Sequence, residues 1–170
     1  MPTPPLEIIP ADETQLIIVQ DLAHRTWPAT FQNILSPDQI AYMLELMYNL
    51  STLTQQVREK GIVFILAKEG TDYLGFAAYE TNYNRNPATK LHKIYVLPQA
   101  QGKGVGKTLM DYVIRIALQH RNDALLLNVN RGNPALHFYK KVGFSIIAEE
   151  DISIGNGYLM EDYVMEKKLH

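Results

Sequence analysis

Residues 101–108, "QGKGVGKT", set three glycines and two lysines directly ahead of the apolar stripe "LMDYVIRIA". A loop of this kind, opening a helix, can hold an anion. Free N–H groups and the positive end of the helix dipole point out of the first turn, and glycine keeps Cβ atoms out of the way. The residue order then sorts the anion sites that are built this way. A phosphate loop of the form G-x-x-x-x-G-K-[ST] finds its ending in Gly106-Lys107-Thr108, but Gln101 stands where its first glycine belongs. The dinucleotide pattern G-x-G-x-x-G ends on Lys107 in one frame and on Leu109 in the other. Q-x-x-G-x-G is met by Gln101, Gly104 and Gly106. A glycine-rich connection with solvated lysines satisfies the same residues, so the loop needs its context.

That context is a second segment, "NVNRGNPALHFYKKVGF". With "LHKIYVLPQAQGKGVGKTLM" it resembles the GNAT superfamily of acetyl-CoA-dependent N-acetyltransferases, Asn133 being taken as the first residue of an N-x-x-A-x-x-F-Y motif. The resemblance covers about residues 62–146, and the order of elements is similar over nearly the whole chain. "NILSPDQIAYML" and "GNGYLMEDYVME" resemble, more distantly, a subgroup that acetylates spermidine, spermine and related small amines.

The resemblance implies a cosubstrate, acetyl-CoA, no metal, and a site laid out along one strand. Its pyrophosphate would rest on Gln101, Gly102, Lys103, Gly104, Val105, Gly106 and Lys107, and its pantetheine arm on the main chain of Ile94, Tyr95 and Val96. Asn133, Phe138 and Lys141 would complete the cofactor contacts. Tyr139 takes the place of the family's tyrosine, whose hydroxyl serves the departing sulfur. An alkylamine acceptor, with a pKa of about 10.4, must lose a proton before it attacks. His92, another residue or a water chain would take that proton. Trp27 and Tyr79 are candidates for the acceptor pocket, and Tyr42, Met43 and Tyr83 could join them. Glu80, Glu161 and Asp162 are the carboxylates that a polyamine would want. The acceptor itself is left open among polyamines, small amines, amino acids and peptide N-termini. A non-catalytic acyl-CoA sensor or assembly module would carry the same cofactor residues, and the resemblance extends to homodimers.

These residues need a scaffold that sets a strand end against a helix start. "LEII" reads as a strand, "ADETQLIIVQDLAHRTW" as a helix, and "SPDQIAYMLELMY" as a second helix with Ser36 at N-cap, Pro37 at N1 and Gln39 at N3. A third helix is expected from Thr54 to Gly61. "IVFILA" and "YLGFAAYE" read as a hairpin around Gly70, and "LHKIYVLP" as a strand stopped by Pro98. "ALLLNV" is a buried strand, "NPALHFYKKVGF" a short helix, and "SIIAEE" and "YLMEDYVMEKKL" two closing strands. The resulting class is mixed α/β: a mostly antiparallel sheet of about seven strands, splayed between the fourth and fifth, with helices on both faces. The strand–helix–strand unit at 91–129 demands a parallel crossover.

Composition narrows the function classes. The 170 residues fit one domain, 1–170, and hydrophobic residues at 46% suffice for a core. There is no cysteine, which removes disulfides, thiolate catalysis and Cys-bound zinc. A net charge of −2 with interspersed signs gives no field for nucleic acid or an anionic membrane. "MPTPPLEIIPADE" lacks the regions of a signal peptide, and no apolar run approaches the roughly 20 residues of a membrane span. A cytoplasmic protein is the expectation.

Overall fold

A computed structural model describes residues 2–170. Seven strands and five α-helices follow in the order β1 (Leu6–Pro10), α1 (Leu16–Phe31), α2 (Pro37–Tyr48), α3 (Leu50–Lys60), β2 (Val63–Glu69), β3 (Asp72–Glu80), β4 (Ala88–Val96), α4 (Val105–Gln119), β5 (Ala124–Asn130), α5 (Ala135–Lys141), β6 (Ser145–Gly155) and β7 (Tyr158–Lys168). The strands form one sheet in the order β1-β2-β3-β4-β5-β7-β6. The pairs β1–β2, β2–β3, β5–β7 and β6–β7 are antiparallel, and β4 and β5 are parallel, as the crossover requires. The mixed, mostly antiparallel class is therefore the observed one. No helix among the described residues is long and apolar enough to cross a membrane.

The chain packs as two compact units. The first comprises residues up to Glu80 together with Lys93–Val113, and the second comprises Thr81–His92 and Ile114–His170.

In the first unit the caps set the helix boundaries. The Ser36 hydroxyl accepts from Gln39 N at 3.1 Å and Pro37 opens α2, as the sequence predicts. Asn49 ends α2 and caps α3, accepting from Thr52 N at 2.8 Å, so α3 begins at Leu50 rather than at Thr54. Gly61, with φ 67°, closes α3 in the left-handed conformation that its missing Cβ allows. Helix α1 runs through Pro28 to Phe31, beyond the expected end at Trp27. Burial of Trp27 and Phe31 at 3% and 5% exposure holds the extra turn despite the lost N–H.

Helices cover both faces of this part of the sheet. Phe76 of β3 meets Tyr48 of α2, with ring centroids 6.0 Å apart. Tyr79 is three residues further along the strand and so points to the opposite face, where Tyr112 of α4 lies close enough to act on its ionisation. Gly75 fits a tighter constraint. A Cβ there would stand 2.6 Å from the Tyr95 carbonyl oxygen and 3.2 Å from Val96 Cα, so β3 and β4 approach as only glycine permits.

In the second unit the parallel ladder joins Ala88–Leu91 to Ala124–Leu127. Strand β4 begins at Ala88, three residues ahead of the expected Leu91, because "ATK" joins this ladder. On β5, Leu125, Leu127 and Val129 are buried on one face, while Leu126, Asn128 and Asn130 are half-buried on the other. Met165 of β7, fully buried opposite Leu127, continues the apolar face.

Candidate active site

The first unit holds the strand end and the glycine loop. The stretch from His92 to Val96 lies beyond the last pair of the parallel ladder, and each of its residues is half-buried, although β4 is the middle strand of seven. Leu91 and Leu97, at its two ends, are buried at 2% exposure each. Leu97 N donates to Leu74 O at 2.8 Å, and the Tyr95 carbonyl faces Gly75, so both point to β3. Alternation along the strand sends the N–H groups of Ile94 and Val96 the other way, off the edge that faces away from β3.

Beyond Pro98 the chain turns into α4. Gly102 and Gly104 have φ of 86° and 77°, and a Cβ on either would meet nothing within 4 Å, so the loop surface is open. Thr108 N donates to Gly104 O at 3.0 Å, which makes this the first helical bond. Val105, Gly106 and Lys107 thus form the first turn, whose N–H groups have no acceptor within the helix. Lys103 N is turned inward to Ala100 O at 3.4 Å, and Gln101 N to Pro98 O at 3.3 Å. The Lys107 ammonium lies against Asp111 at 2.8 Å, both side chains being well exposed. The anion-binding capacity of the loop therefore resides in main-chain amides 105–107, with Lys103 as an exposed cation.

Beneath β4 in the same unit lies an aromatic cluster. The Tyr95 ring is 5.8 Å from Trp27, 6.3 Å from Phe31 and 5.7 Å from Phe76. Trp27 Nε1 and the Tyr48 hydroxyl are buried without a well-formed hydrogen bond, although the indole is near enough to offset part of the hydroxyl's burial. Lys93 enters the cluster with Nζ 4.5 Å from the Tyr48 ring centroid, 5.6 Å from that of Phe64 and 3.4 Å from Gln56 Oε1. Burial, with Lys60 as a lesser cause, lowers its pKa to about 8. Trp27 and Tyr79, the two acceptor candidates, are both buried and face opposite sides of the sheet; burial followed by Tyr112 pushes the Tyr79 hydroxyl up to about 12.

The second unit holds His92 and the α5 segment. The His92 ring meets that of Tyr83 edge-on at 5.7 Å. Tyr139 is buried at 7% exposure between Phe138 and Phe144, at 5.7 Å and 5.8 Å, and burial alone raises its pKa. Its hydroxyl stays protonated across the neutral range and can donate. Asn133 stands two residues before Ala135, so an N-x-x-A spacing counted back from Ala135 begins at Gly132, which corrects the placement of the motif's asparagine. Asn133 Oδ1 accepts from Ala135 N at 2.9 Å and closes the turn into α5. Phe138 is half-buried, and Lys141 is exposed on the last turn of α5.

Lys90, Asn128 and Glu150, which the sequence reading passed over, converge with Asp162, one of the candidate carboxylates, on the half-buried face of this sheet. Lys90 Nζ donates to Asn128 Oδ1, and Asn128 Nδ2 donates to Glu150 Oε2 at 3.0 Å and to Asp162 Oδ2 at 3.3 Å. Asp162 is 3% exposed, and burial, with Glu150 adding to it, raises its pKa against the pull of Asn128, Lys90 and Arg131. Burial lowers that of Lys90. The alternation of Asn128 and Asn130 with buried Leu127 and Val129 was the available signal, since polar residues at alternate positions of a buried strand mark a face with work other than packing.

A family model described as "Acetyltransferase (GNAT) family" matches residues 19–144. The chain belongs to the GNAT acetyltransferase family. As a GNAT member it is an acyltransferase, in company with N-acetyltransferases over most of its length. It is 25% identical to the N-acetyltransferase YuaI of Bacillus subtilis, over 88% of this chain and 87% of that one. It is 32% identical to the 5-NmdU N-acetyltransferase of Pseudomonas phage PaMx11, over 66% of this chain and 70% of the relative. The GNAT fold superposes with a TM-score of 0.80 on the PaiA N-acetyltransferase of Thermoplasma acidophilum in complex with coenzyme A, at 25% identity, covering 96% of this chain and 99% of that one.

Proposed function

We propose that this GNAT protein transfers the acetyl group of acetyl-CoA to a primary amine of a small molecule or peptide, residues 1–170 acting as one catalytic domain. The observation that carries the reading is the half-buried run His92–Val96 in a middle strand, leading through Pro98 to the amide-lined start of α4. The coenzyme A held by the Thermoplasma relative supports the choice of cosubstrate, and the names of the curated relatives support an amine acceptor.

The residues present fit such a cosubstrate. The first-turn amides of Val105, Gly106 and Lys107 suit a diphosphate, because a fixed array of N–H donors and the helix dipole favour negative charge with no metal between. The Ile94 and Val96 amides, turned off the free side of β4, suit an extended amide-bearing arm that pairs like an added strand. Acetyl-CoA supplies the thioester whose carbonyl carbon a neutral amine attacks, forming the C–N bond as the C–S bond breaks. The chain's part is to orient and to handle protons. The Ile94 N–H polarises the carbonyl oxygen. Tyr139, still protonated at neutral pH, donates to the departing sulfur. His92, or water it orders, takes the proton that the acceptor sheds.

The experiment is thiol release from acetyl-CoA with polyamines, amino acids and N-terminal peptides as acceptors. Release that depends on the amine supports the reading. Tight acetyl-CoA binding with no release on any amine favours a non-catalytic acyl-CoA sensor.

A further inference from the structure

The connection between β3 and β4 concentrates backbone strain. Five non-glycine residues among those described have positive φ, and three of them lie here: Asn82 at 52°, Asn84 at 53° and Arg85 at 61°. Left-handed backbone is unfavourable for residues with a Cβ, least for asparagine and more for Arg85, and persists where surrounding structure enforces it. Asn82, Asn84, Arg85, Asn86 and Pro87 are exposed, so apolar burial by these residues does not repay the strain.

The enforcing residue is Asn122, 1% exposed and just beyond α4. Its Oδ1 accepts from Asn82 N at 3.0 Å and from the Thr89 hydroxyl at 2.6 Å. Its Nδ2 donates to Asn82 Oδ1 at 2.7 Å and to His120 O at 3.2 Å. Asp123 N adds a bond to Pro87 O at 2.8 Å at the far end of the loop. Every hydrogen-bonding position of the Asn122 amide is thus engaged, half of them on Asn82.

This clamp fixes Tyr83. Its ring covers the Lys90 ammonium, with Nζ 5.5 Å from the centroid, and meets the His92 ring at 5.7 Å. Lys90 is itself pinned by Asn128, behind which stand Glu150 and Asp162. The strained loop therefore places one aromatic ring across two fixed polar side chains of β4.

The function of that placement rests on the acetyl-transfer reading above. On that reading His92 takes the proton that the acceptor sheds, so the acceptor amine comes to His92, whose ring Tyr83 meets. We propose that Tyr83 contacts the acceptor amine, packing against its apolar carbons, and that Asn122 is a positioning residue that holds Tyr83 there through the 81–87 loop. With the Lys90 ammonium already on the ring, the face takes the carbon skeleton of an amine rather than a second ammonium.

The test uses steady-state kinetics of the full chain with phenethylamine, spermidine and an N-terminal alanine peptide as probes, followed by variants on the best probe. Phenethylamine is expected to exceed spermidine in kcat/KM. Tyr83→Ala is expected to raise the acceptor KM at least fivefold and to leave the acetyl-CoA KM within twofold, with Tyr83→Phe retaining the wild-type value. Arg85→Gly relieves strain without touching the ring, so it is expected to raise Tm and also to raise the acceptor KM about threefold. Asn122→Ala is expected to do the same to KM at a lower Tm; if it fails to fold, Arg85→Gly carries the positioning test. Unchanged acceptor KM in Tyr83→Ala, or equal loss in Tyr83→Phe, overturns the contact. Arg85→Gly that gains Tm with unaltered kinetics overturns the positioning role. A preference for spermidine overturns the stated acceptor class. A wild-type protein that transfers to none of the probes contradicts the acetyl-transfer reading as well, an outcome distinct from each of these.

Discussion

Lys93 Nζ lies 4.5 Å from the centre of the Tyr48 ring, an amine folded into an aromatic cluster on a strand that also carries the candidate catalytic edge. Burial lowers its pKa from 10.5 to about 8. In the unfolded chain the amine keeps its proton to about 10.5, so between these values the unfolded state binds more protons and stability rises with pH. Below pH 8 both states are protonated and the penalty is constant, amounting to roughly 3 kcal/mol. Urea midpoints measured from pH 7.5 to 9.5 are expected to climb in the wild type. In Lys93→Met that rise should be lost, and the midpoint at pH 7.5 should exceed the wild-type value.

Gly75 fixes the distance between β3 and the strand end. Gly75→Ala sets a methyl 2.6 Å from a carbonyl oxygen and 3.2 Å from a backbone carbon, neither of which can swing aside. The strands must part, at a cost of about 1–3 kcal/mol. Because the displaced residues are Tyr95 and Val96, acetyl-CoA affinity should fall with stability. A melting curve and a binding titration on one preparation check both, and a variant that loses Tm with unaltered affinity would detach β4 from cosubstrate binding.

Tyr139 is enclosed by Phe138 and Phe144, and burial keeps its hydroxyl protonated. Removing only that oxygen leaves the packing intact. Tyr139→Phe is expected to lower kcat by about 10–100-fold, within the range of general acid–base contributions, while the acetyl-CoA Kd stays near wild type. Single-turnover rates measured beside equilibrium binding separate the two, and an unaltered kcat removes Tyr139 from the chemistry.

Much of the fold was legible because it is written in local signals. Ser36-Pro37 starts α2 and Gly61 ends α3 as read, since caps depend on neighbours in sequence. The parallel pairing of β4 with β5 followed from chirality and the length of the crossover. Boundaries failed where distant partners decide: α1 outlasts Pro28 through buried Trp27 and Phe31, and β4 starts early because Ala88 finds Ala124. The start of α4 was readable for the same reason as the caps, since a glycine loop before an apolar stripe defines a helix start. The side-chain cluster was not. Lys90, Asn128, Glu150 and Asn122 sit far apart in sequence, and only the sheet and the β3–β4 connection bring them together. Trp27 and Tyr79 illustrate the converse, since aromatic character alone does not tell one face of a sheet from the other.

We propose that main-chain amides along β4 and at the start of α4 form the cosubstrate site. Hydrogen exchange of the backbone amides, recorded residue by residue with and without acetyl-CoA, tests it most directly. Slowed exchange at Ile94, Val96, Val105, Gly106 and Lys107 is the expected result. Saturating acetyl-CoA that leaves these five unaltered, with protection appearing elsewhere or nowhere, would contradict it.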